Sequence, residues 1–233
     1  MSQYITPAFQ EALANLFTQK STTTQLYLKP LNTVVLLDSN GNTIATTNSI
    51  VVTYQSGVIN IKADFQASSD STVATVLVGN TYSGVFTAYF TVPNLNFSVS
   101  QGNYYEIKIT IVLNNVSLTV SPFKSATVYA NKLFDVIGNI LAGNPLHTGK
   151  TGQFFDAIYI VNTSGNVSQS YRIPITIATI SPLLTIGGII AKTVYGNQIV
   201  LRDSNQNDLV IVQSNTPITF KSGRPIIFEF IFG

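Results

Sequence analysis

The sequence that decides the fold is Val34–Asn42 (VVLLDSNGN), four apolar residues followed by five turn-forming ones. Ile158–Asn166 (IYIVNTSGN) repeats this order 124 residues later. An apolar run that ends in Asp, Asn, Ser and Gly is typical of a β-strand that enters a tight turn. The recurrence predicts that the chain is an internal duplication, and a repeat of this kind dictates the architecture.

An amphipathic stretch precedes the first of these segments. Its apolar residues have the i, i+4, i+7, i+8 spacing of one helix face, and they are Phe9, Leu13, Leu16 and Phe17. Thr6 is the predicted N-cap, and Pro7 stands in the first turn, where a proline is tolerated. The first copy is therefore predicted to begin with a short helix.

A second amphipathic stretch precedes Ile158–Asn166 at the same offset. Its apolar face consists of Leu133, Ile137, Ile140 and Leu141. Asn131 is the predicted N-cap, and Gly143 and Pro145 are predicted to end the helix. Both copies are thus predicted to begin in the same way.

The ends of the two copies also correspond, at a slightly shorter offset. Phe97–Gly102 (FSVSQG) precedes Tyr105–Ile111 (YEIKITI) in the first copy. Ile218–Gly223 (ITFKSG) precedes Ile226–Phe232 (IIFEFIF) in the second. The middles of the copies match poorly, so the prediction of a duplication rests on their two ends.

Short β-prone runs fill both copies at the spacing of a β-sandwich. In Tyr105–Ile111 isoleucines alternate with polar residues, which marks an antiparallel sheet with one buried face. We predict an all-β protein of two tandem β-sandwich domains, jelly-roll or immunoglobulin-like, each preceded by a short amphipathic helix. The predicted domains are residues 1–125 and 126–233.

The composition excludes several classes of function. Charged residues make up 9% of the chain, against about 25% in an average soluble protein. The net charge of +2 comes from scattered Lys and Arg, so no electrostatic footprint for nucleic acid is present. The absence of cysteine removes disulfides and thiolate metal sites. The chain also has few acidic residues whose ionisation could couple folding to pH, so we predict a fold that tolerates acidic water.

Three segments come near a chemical motif without completing it. Asn144–Thr151 (NPLHTGKT) lacks the first glycine of a phosphate-binding loop, and a predicted helix precedes it instead of following it. His147 is the single histidine and cannot form a multi-histidine metal site. Asp203–Asn207 (DSNQN) resembles the start of a calcium loop but lacks the glycine and the distal Glu. We therefore expect no enzymatic activity, no cofactor and no metal.

Two segments are apolar beyond a single face. The last predicted strand carries Ile227 and Ile231 on the face opposite its phenylalanines, and Phe134 and Val136 lie off the main face of the second helix. A strand that is apolar on both faces is usually covered on both. These four residues are the predicted assembly interface, between domains or between subunits.

Other signals in the chain are weak. N-glycosylation sequons occur at Asn96, Asn115, Asn162 and Asn166, about as many as chance provides. Ile173–Ala191 is uncharged over a membrane-spanning length, but its prolines and glycines favour sheet, which leaves membrane contact as a minor alternative. The N-terminal residues lack a charged and an apolar signal-peptide region, so no signal peptide is predicted.

A charge-poor, cysteine-free chain rich in Ile, Thr, Asn, Val and Tyr resembles the structural proteins of viruses that infect thermoacidophilic archaea. Turret, penton and tail-nozzle proteins share this style of composition and of tandem β-sandwiches, but the resemblance carries over no functional residue. It implies a virion structural protein that assembles as a homo-oligomer with other virion proteins. It also implies assembly in the host cytoplasm, followed by an extracellular particle.

Two alternatives remain beside a virion protein. The first is a cell-surface adhesin or filament subunit. The second is a carbohydrate-binding β-sandwich module, in which Tyr82, Tyr89, Tyr104 and Tyr105 would supply stacking surfaces.

Overall fold

The computed structural model describes residues 5–21, 27–113, 116–121, 126–144, 152–163, 169–179 and 184–232. Two helices, α1 (Pro7–Thr18) and α2 (Asn131–Leu141), accompany a set of antiparallel sheets. Most of the described chain is strand, which confirms the all-β prediction.

The strands of residues 1–125, called here the first half, follow α1 in chain order. They are β1 (Lys20–Ser21), β2 (Thr33–Leu37), β3 (Thr43–Thr47), β4 (Ile50–Gln55), β5 (Val58–Gln66), β6 (Ser71–Val73), β7 (Thr75–Tyr82), β8 (Val85–Val92), β9 (Phe97–Val99), β10 (Tyr104–Val112) and β11 (Val116–Ser121). One sheet has the order β3-β2-β7-β8 and another the order β10-β5-β4, while β6 pairs with β9.

In the second half, residues 126–233, the described segments contain α2 and nine strands. They are β12 (Thr127–Tyr129), β13 (Gly152–Gln153), β14 (Phe155–Asn162), β15 (Gln169–Pro174), β16 (Ile177–Thr179), β17 (Leu184–Ile189), β18 (Val194–Asp203), β19 (Asp208–Phe220) and β20 (Pro225–Phe232). One sheet has the order β12-β19-β18-β14-β15, and the other has the order β11-β20-β17-β16.

The strand order of the first half recurs in the second. The row β3-β2-β7-β8 corresponds to β15-β14-β18-β19, and the row β4-β5-β10 corresponds to β16-β17-β20. The small pairing of β6 with β9 corresponds to the outer ends of β18 and β19, where Val194 faces Phe220. The bridge from Ile5 to Phe90 corresponds to the pairing of Tyr129 with Ile211.

This order differs from that of an immunoglobulin sandwich. There the first strand lies at the edge of its sheet, beside the second. Here β2, the first strand of the larger sheet, lies between β3 and β7. Of the two topologies that the sequence left open, jelly-roll and immunoglobulin-like, the observed strand order therefore differs from the immunoglobulin one.

The two helix starts differ from one another. The Thr6 hydroxyl accepts a hydrogen bond from the Phe9 N–H at 3.2 Å, which confirms the predicted cap of α1. The prediction for α2 is wrong by one residue, because Ala130 is the N-cap and Asn131 is already helical. Gly143 follows the helix with φ +73°, the left-handed conformation that ends helices and suits glycine.

The β-prone run at residues 44–54 is divided between two strands in different sheets. β3 pairs with β2, whereas β4 pairs with β5. Between them the Thr47 hydroxyl donates to the Asp64 carbonyl and accepts from the Ser49 N–H. Asn48 and Ser49, which lie at the break, are typical of turns rather than strands, so a local signal marks the crossing from sheet to sheet.

Buried and exposed residues alternate along β5 and β10, and this alternation determines which face of the smaller first-half sheet lies on the core. Ile59, Ile61 and Ala63 are buried, while Lys62 and the other residues between them are exposed. On β10 the isoleucines face inward and Glu106, Lys108 and Thr110 face solvent, as predicted. This sheet therefore has one core face and one wet face.

Each helix contacts strands of both halves. α1 packs on β8 of the first half and on β16 and β17 of the second. α2 packs on β19 of the second half and on β4 of the first. Since β8 corresponds to β19 and β4 corresponds to β16, the two helices occupy equivalent places and cross between the halves.

Strand β11 also crosses between the halves. It precedes the boundary predicted at residue 125, yet it pairs with β20 of the second half, with Ser117 opposite Ile231. Backbone pairing and helix packing both join the two predicted domains, so neither is closed on itself.

Candidate functional site

The outer face of the sheet β11-β20-β17-β16 carries apolar residues beside polar ones, with Glu229 between Ile227 and Ile231 on β20 and Thr185 opposite Glu229 on β17. Phe228 and Phe230 of β20 are buried, as predicted, while the opposite face of the sheet carries four isoleucines and a proline. We call these residues the outer isoleucine face: Ile177, Ile189, Pro225, Ile227 and Ile231.

Burial within the outer isoleucine face is uneven. Ile189 and Ile231 are 52% and 49% exposed, and Pro225 is exposed as well. Ile227 and Ile177 are half-buried and lie on either side of Gly187 in the sheet. Isolated apolar side chains on a surface are ordinary, but several on one sheet face indicate a candidate contact surface, here with Glu229 among them.

The other two predicted interface residues are covered by the chain itself. Val136 is buried, and Phe134 is half-buried and packs against the core. Helix α2 lies on β19 and β4, so its extra apolar residues serve the contact between the halves. Of the predicted set, Ile231 is exposed, Ile227 and Phe134 are half-buried and Val136 is buried.

Contact between α2 and β4 centres on Tyr54. Its hydroxyl donates to the Asp135 Oδ1 atom at 2.6 Å and accepts from the Gly57 N–H at 2.8 Å. Burial and the Asp135 carboxylate raise the pKa of Tyr54 well above its ordinary value, so the phenol stays protonated. Gly138 lies flat against the Tyr54 ring and leaves no room for a Cβ atom. No local sequence signal pairs residues so far apart in the chain.

A cleft of about 500 Å³ lies between α1 and the β7–β8 hairpin, and sequence analysis did not predict it. Side chains that line it include Glu11, Asn15, Tyr27, Lys29, Asn80 and Tyr82. The Lys29 Nζ atom lies 3.6 Å from the centre of the Tyr82 ring and covers one face of it. Tyr89 is buried at the base, where its hydroxyl accepts from the Lys29 N–H at 3.3 Å and burial raises its pKa.

The four tyrosines proposed for sugar stacking do not form one platform. Tyr82 and Tyr89 line the cleft, whereas Tyr104 and Tyr105 lie on β10. The Tyr105 ring stacks on Phe65, with 5.4 Å between centroids. Stacking on a sugar requires exposed, coplanar ring faces, and the geometry here leaves Tyr104 and one face of Tyr82.

The motifs that resembled chemical sites are structural where they are described. The Asp203 Oδ1 atom accepts from the N–H groups of Asn205 and Asn207, both at 2.8 Å, and is buried. Asp38 makes the same two bonds to Asn40 and Asn42. Both carboxylates fix turns, and a turn that already uses its carboxylate is a poor calcium ligand.

Several predicted residues lie outside the part of the chain that the structure describes. These are His147 and the rest of 145–151, and the sequons at Asn115 and Asn166. Asn96 is exposed and Asn162 is half-buried. Among the described residues, no cluster of His, Asp and Glu could hold a metal ion.

Several of the charged side chains form ion pairs. Glu106 bridges Lys62 and Lys108, and two further pairs join Arg172 to Asp156 and Arg202 to Asp208. Hydrogen bonds from Lys62 and Arg172 lower the pKa values of Glu106 and Asp156, and a bond from Asn42 lowers that of Asp38. These carboxylates remain in contact with solvent, so each interaction stabilises the fold only weakly.

The lowered pKa values predict how stability depends on pH. A carboxylate whose folded pKa lies below its unfolded value, near 4, stabilises the fold fully above that value and stops doing so as pH falls through the folded pKa. We expect the thermal midpoint, followed by far-UV circular dichroism, to change by less than about 4 °C between pH 7 and pH 5. It should fall only below about pH 4. A steep loss between pH 7 and pH 5 would contradict this account.

Comparison with models of protein families, with curated proteins and with solved structures finds no match to the chain. Neither helix in the described residues is long and apolar enough to cross a membrane.

Proposed function

We propose that this chain is a non-enzymatic structural subunit that works by symmetric assembly with copies of itself. The observation that carries the proposal is the outer isoleucine face, with Ile189 and Ile231 about half exposed on one sheet. Apolar side chains that lie open on a sheet face of the single chain gain free energy when a second surface removes them from water. Copies of one chain in a closed assembly are the simplest source of that surface.

The repeated strand order supports a further proposal about organisation. We propose that the chain consists of two copies of one unit, each a helix followed by a β-sandwich, as the sequence predicted. Seven strands of the first half have counterparts in the same order in the second half, and equivalent strands contact the two helices. Two halves that share their helices suit a building block better than a module with moving parts.

The proposed setting is the virion, as a capsid vertex, turret or tail-nozzle subunit. This step rests on the resemblance in composition to structural proteins of viruses from hot, acidic habitats. A surface rich in amides and hydroxyls and poor in carboxylates supports it, because few of its groups change charge in acid. Immunogold labelling of purified particles with an antibody to the chain tests the setting, and unlabelled particles would contradict it.

The carbohydrate-binding alternative has less support. Its tyrosines are divided between the cleft and β10, and Tyr89 is buried. The adhesin alternative needs the same kind of assembly surface as the proposed function, and it differs from that function in cellular location.

Two substitutions on the outer isoleucine face test the assembly. We expect the double variant Ile227→Ser and Ile231→Ser to weaken self-association by more than about tenfold, because it removes apolar surface from the contact. Light scattering behind a sizing column measures this at several protein concentrations. Circular dichroism confirms that the variant remains folded.

The matched control is Val51→Ser with Val85→Ser. Both valines lie on strands of the first half and are 60% and 66% exposed, so the control removes similar apolar surface elsewhere. Its mass should equal that of the wild type. An unchanged mass for the isoleucine variant, or equal losses in both variants, would refute the proposed surface.

A further inference from the structure

Strand β10 has an open edge where its counterpart has none. The corresponding strand of the second half, β20, lies between β17 and β11. β10 pairs with β5 on one side, and among the described residues no strand pairs with its other side. The edge is nine residues long, Tyr104–Val112, and a long free edge is a template for pairing with another strand.

The backbone groups at this edge can be assigned to individual residues. The Leu113 N–H donates to the Gly57 carbonyl at 2.8 Å, and the Ala67 N–H donates to the Asn103 carbonyl at 3.0 Å. In the antiparallel register of β10 and β5, odd-numbered residues of β10 therefore bond to β5. The even-numbered residues direct their N–H and C=O groups outward at the free edge.

Charge on the same residues is self-complementary. Glu106 and Lys108 both direct their backbone outward and both expose their side chains on the wet face. If two copies of β10 pair antiparallel about Ile107, Glu106 of each lies opposite Lys108 of the other. Shifting the register by two residues in either direction places like charges opposite each other, which is unfavourable.

The charge of Lys108 is only partly compensated within the single chain. It lies directly opposite Lys62 on β5, and the two lysines share Glu106. Like charges directly opposite in a sheet are destabilising, so a second carboxylate beside Lys108 is favourable. Glu106 of a second copy would supply it.

We propose that β10 of one copy pairs edge to edge with β10 of a second copy, in the antiparallel register that sets Glu106 opposite Lys108. The contact joins two three-stranded sheets into one six-stranded sheet around a two-fold axis. This inference rests on the proposed assembly function and names one of its contacts.

Charge reversal and its rescue test the contact. Lys108→Glu should raise the dissociation constant of the dimer at least about tenfold, since it sets carboxylates opposite each other. Glu106→Lys should weaken the dimer similarly. The double exchange, Glu106→Lys with Lys108→Glu, should restore the affinity to within about threefold of wild type. Lys221→Glu, an exposed charge reversal remote from β10 in sequence, is the control and should change nothing.

A proline tests the backbone pairing separately. Lys108→Pro removes an outward N–H and no bond to β5, so the single chain should keep its fold. It should dissociate the dimer, as measured by light scattering in the full chain. Dissociation by the single charge variants with rescue by the double exchange supports the contact. Failure of the double exchange to rescue overturns it.

The outcomes also separate this contact from the proposed function. If Lys108→Glu and Lys108→Pro leave the mass unchanged while the isoleucine double variant dissociates the assembly, the edge contact is wrong and the assembly function stands. If the wild type is a monomer at every concentration, both are wrong.

Discussion

Replacing Phe17 with alanine should destabilise the whole chain by about 3–5 kcal/mol, the usual range for emptying a buried aromatic site. Phe17 lies in the last turn of α1 in the first half, yet the centre of its ring lies 4.9–5.7 Å from those of Phe154, Phe155 and Phe230 in the second. It is 2% exposed. Urea denaturation followed by circular dichroism measures the loss.

The peptides that lose hydrogen-exchange protection show whether Phe17 stabilises both halves or only the first. Because Phe17 contacts the second half, hydrogen exchange in Phe17→Ala should accelerate in peptides of β14 as well as in α1. Exchange that accelerates only in the first half would contradict the crossing of the helices. Tyr195→Ala, at a tyrosine that is 56% exposed, is the control and should cost less than about 1 kcal/mol.

Gly138→Ala is the second substitution with a large expected effect. The sign of its effect on stability tests whether α2 packs on β4 through Tyr54. Helix propensity alone predicts that alanine stabilises an interior helix position by about 1 kcal/mol relative to glycine. At Gly138 the new Cβ atom would overlap the ring of Tyr54, which is held by its bonds to Asp135 and Gly57. We expect net destabilisation of about 2 kcal/mol, as is typical of overpacking.

A double-mutant cycle identifies the cause of that loss. In a Tyr54→Ala background the ring is absent, so Gly138→Ala should become neutral or stabilising. Stabilisation by Gly138→Ala in the wild-type background would show that α2 does not pack on β4 as described. Equal destabilisation in both backgrounds would assign the effect to a partner other than Tyr54.

Much of the fold could be predicted because its signals are local. Phe9 and Leu13 repeat at helical spacing, and Ile107, Ile109 and Ile111 alternate at strand spacing, so the faces they bury follow from the sequence. Asp38 and Asp203 bond to their own turns within four residues, which made their structural role predictable.

The features that could not be predicted depend on contacts between distant residues. The crossing of β11 to β20, the packing of Gly138 on Tyr54 and the cleft beside Tyr82 join segments with no shared local pattern. The same limit applies to the assembly surface. Sequence showed that Val136 and Ile231 were both surplus to one apolar face, but only the tertiary structure covers Val136 and leaves Ile231 half exposed.

The central claim is self-assembly, and the mass of the wild-type chain tests it most directly. Light scattering behind a sizing column, over a range of concentrations at neutral and acidic pH, gives that mass, and negative-stain images of the peak give its symmetry. The account predicts an integer multiple of the 25.2 kDa chain, with a two-fold axis or a closed ring. A 25.2 kDa monomer at every concentration and at both pH values would contradict it.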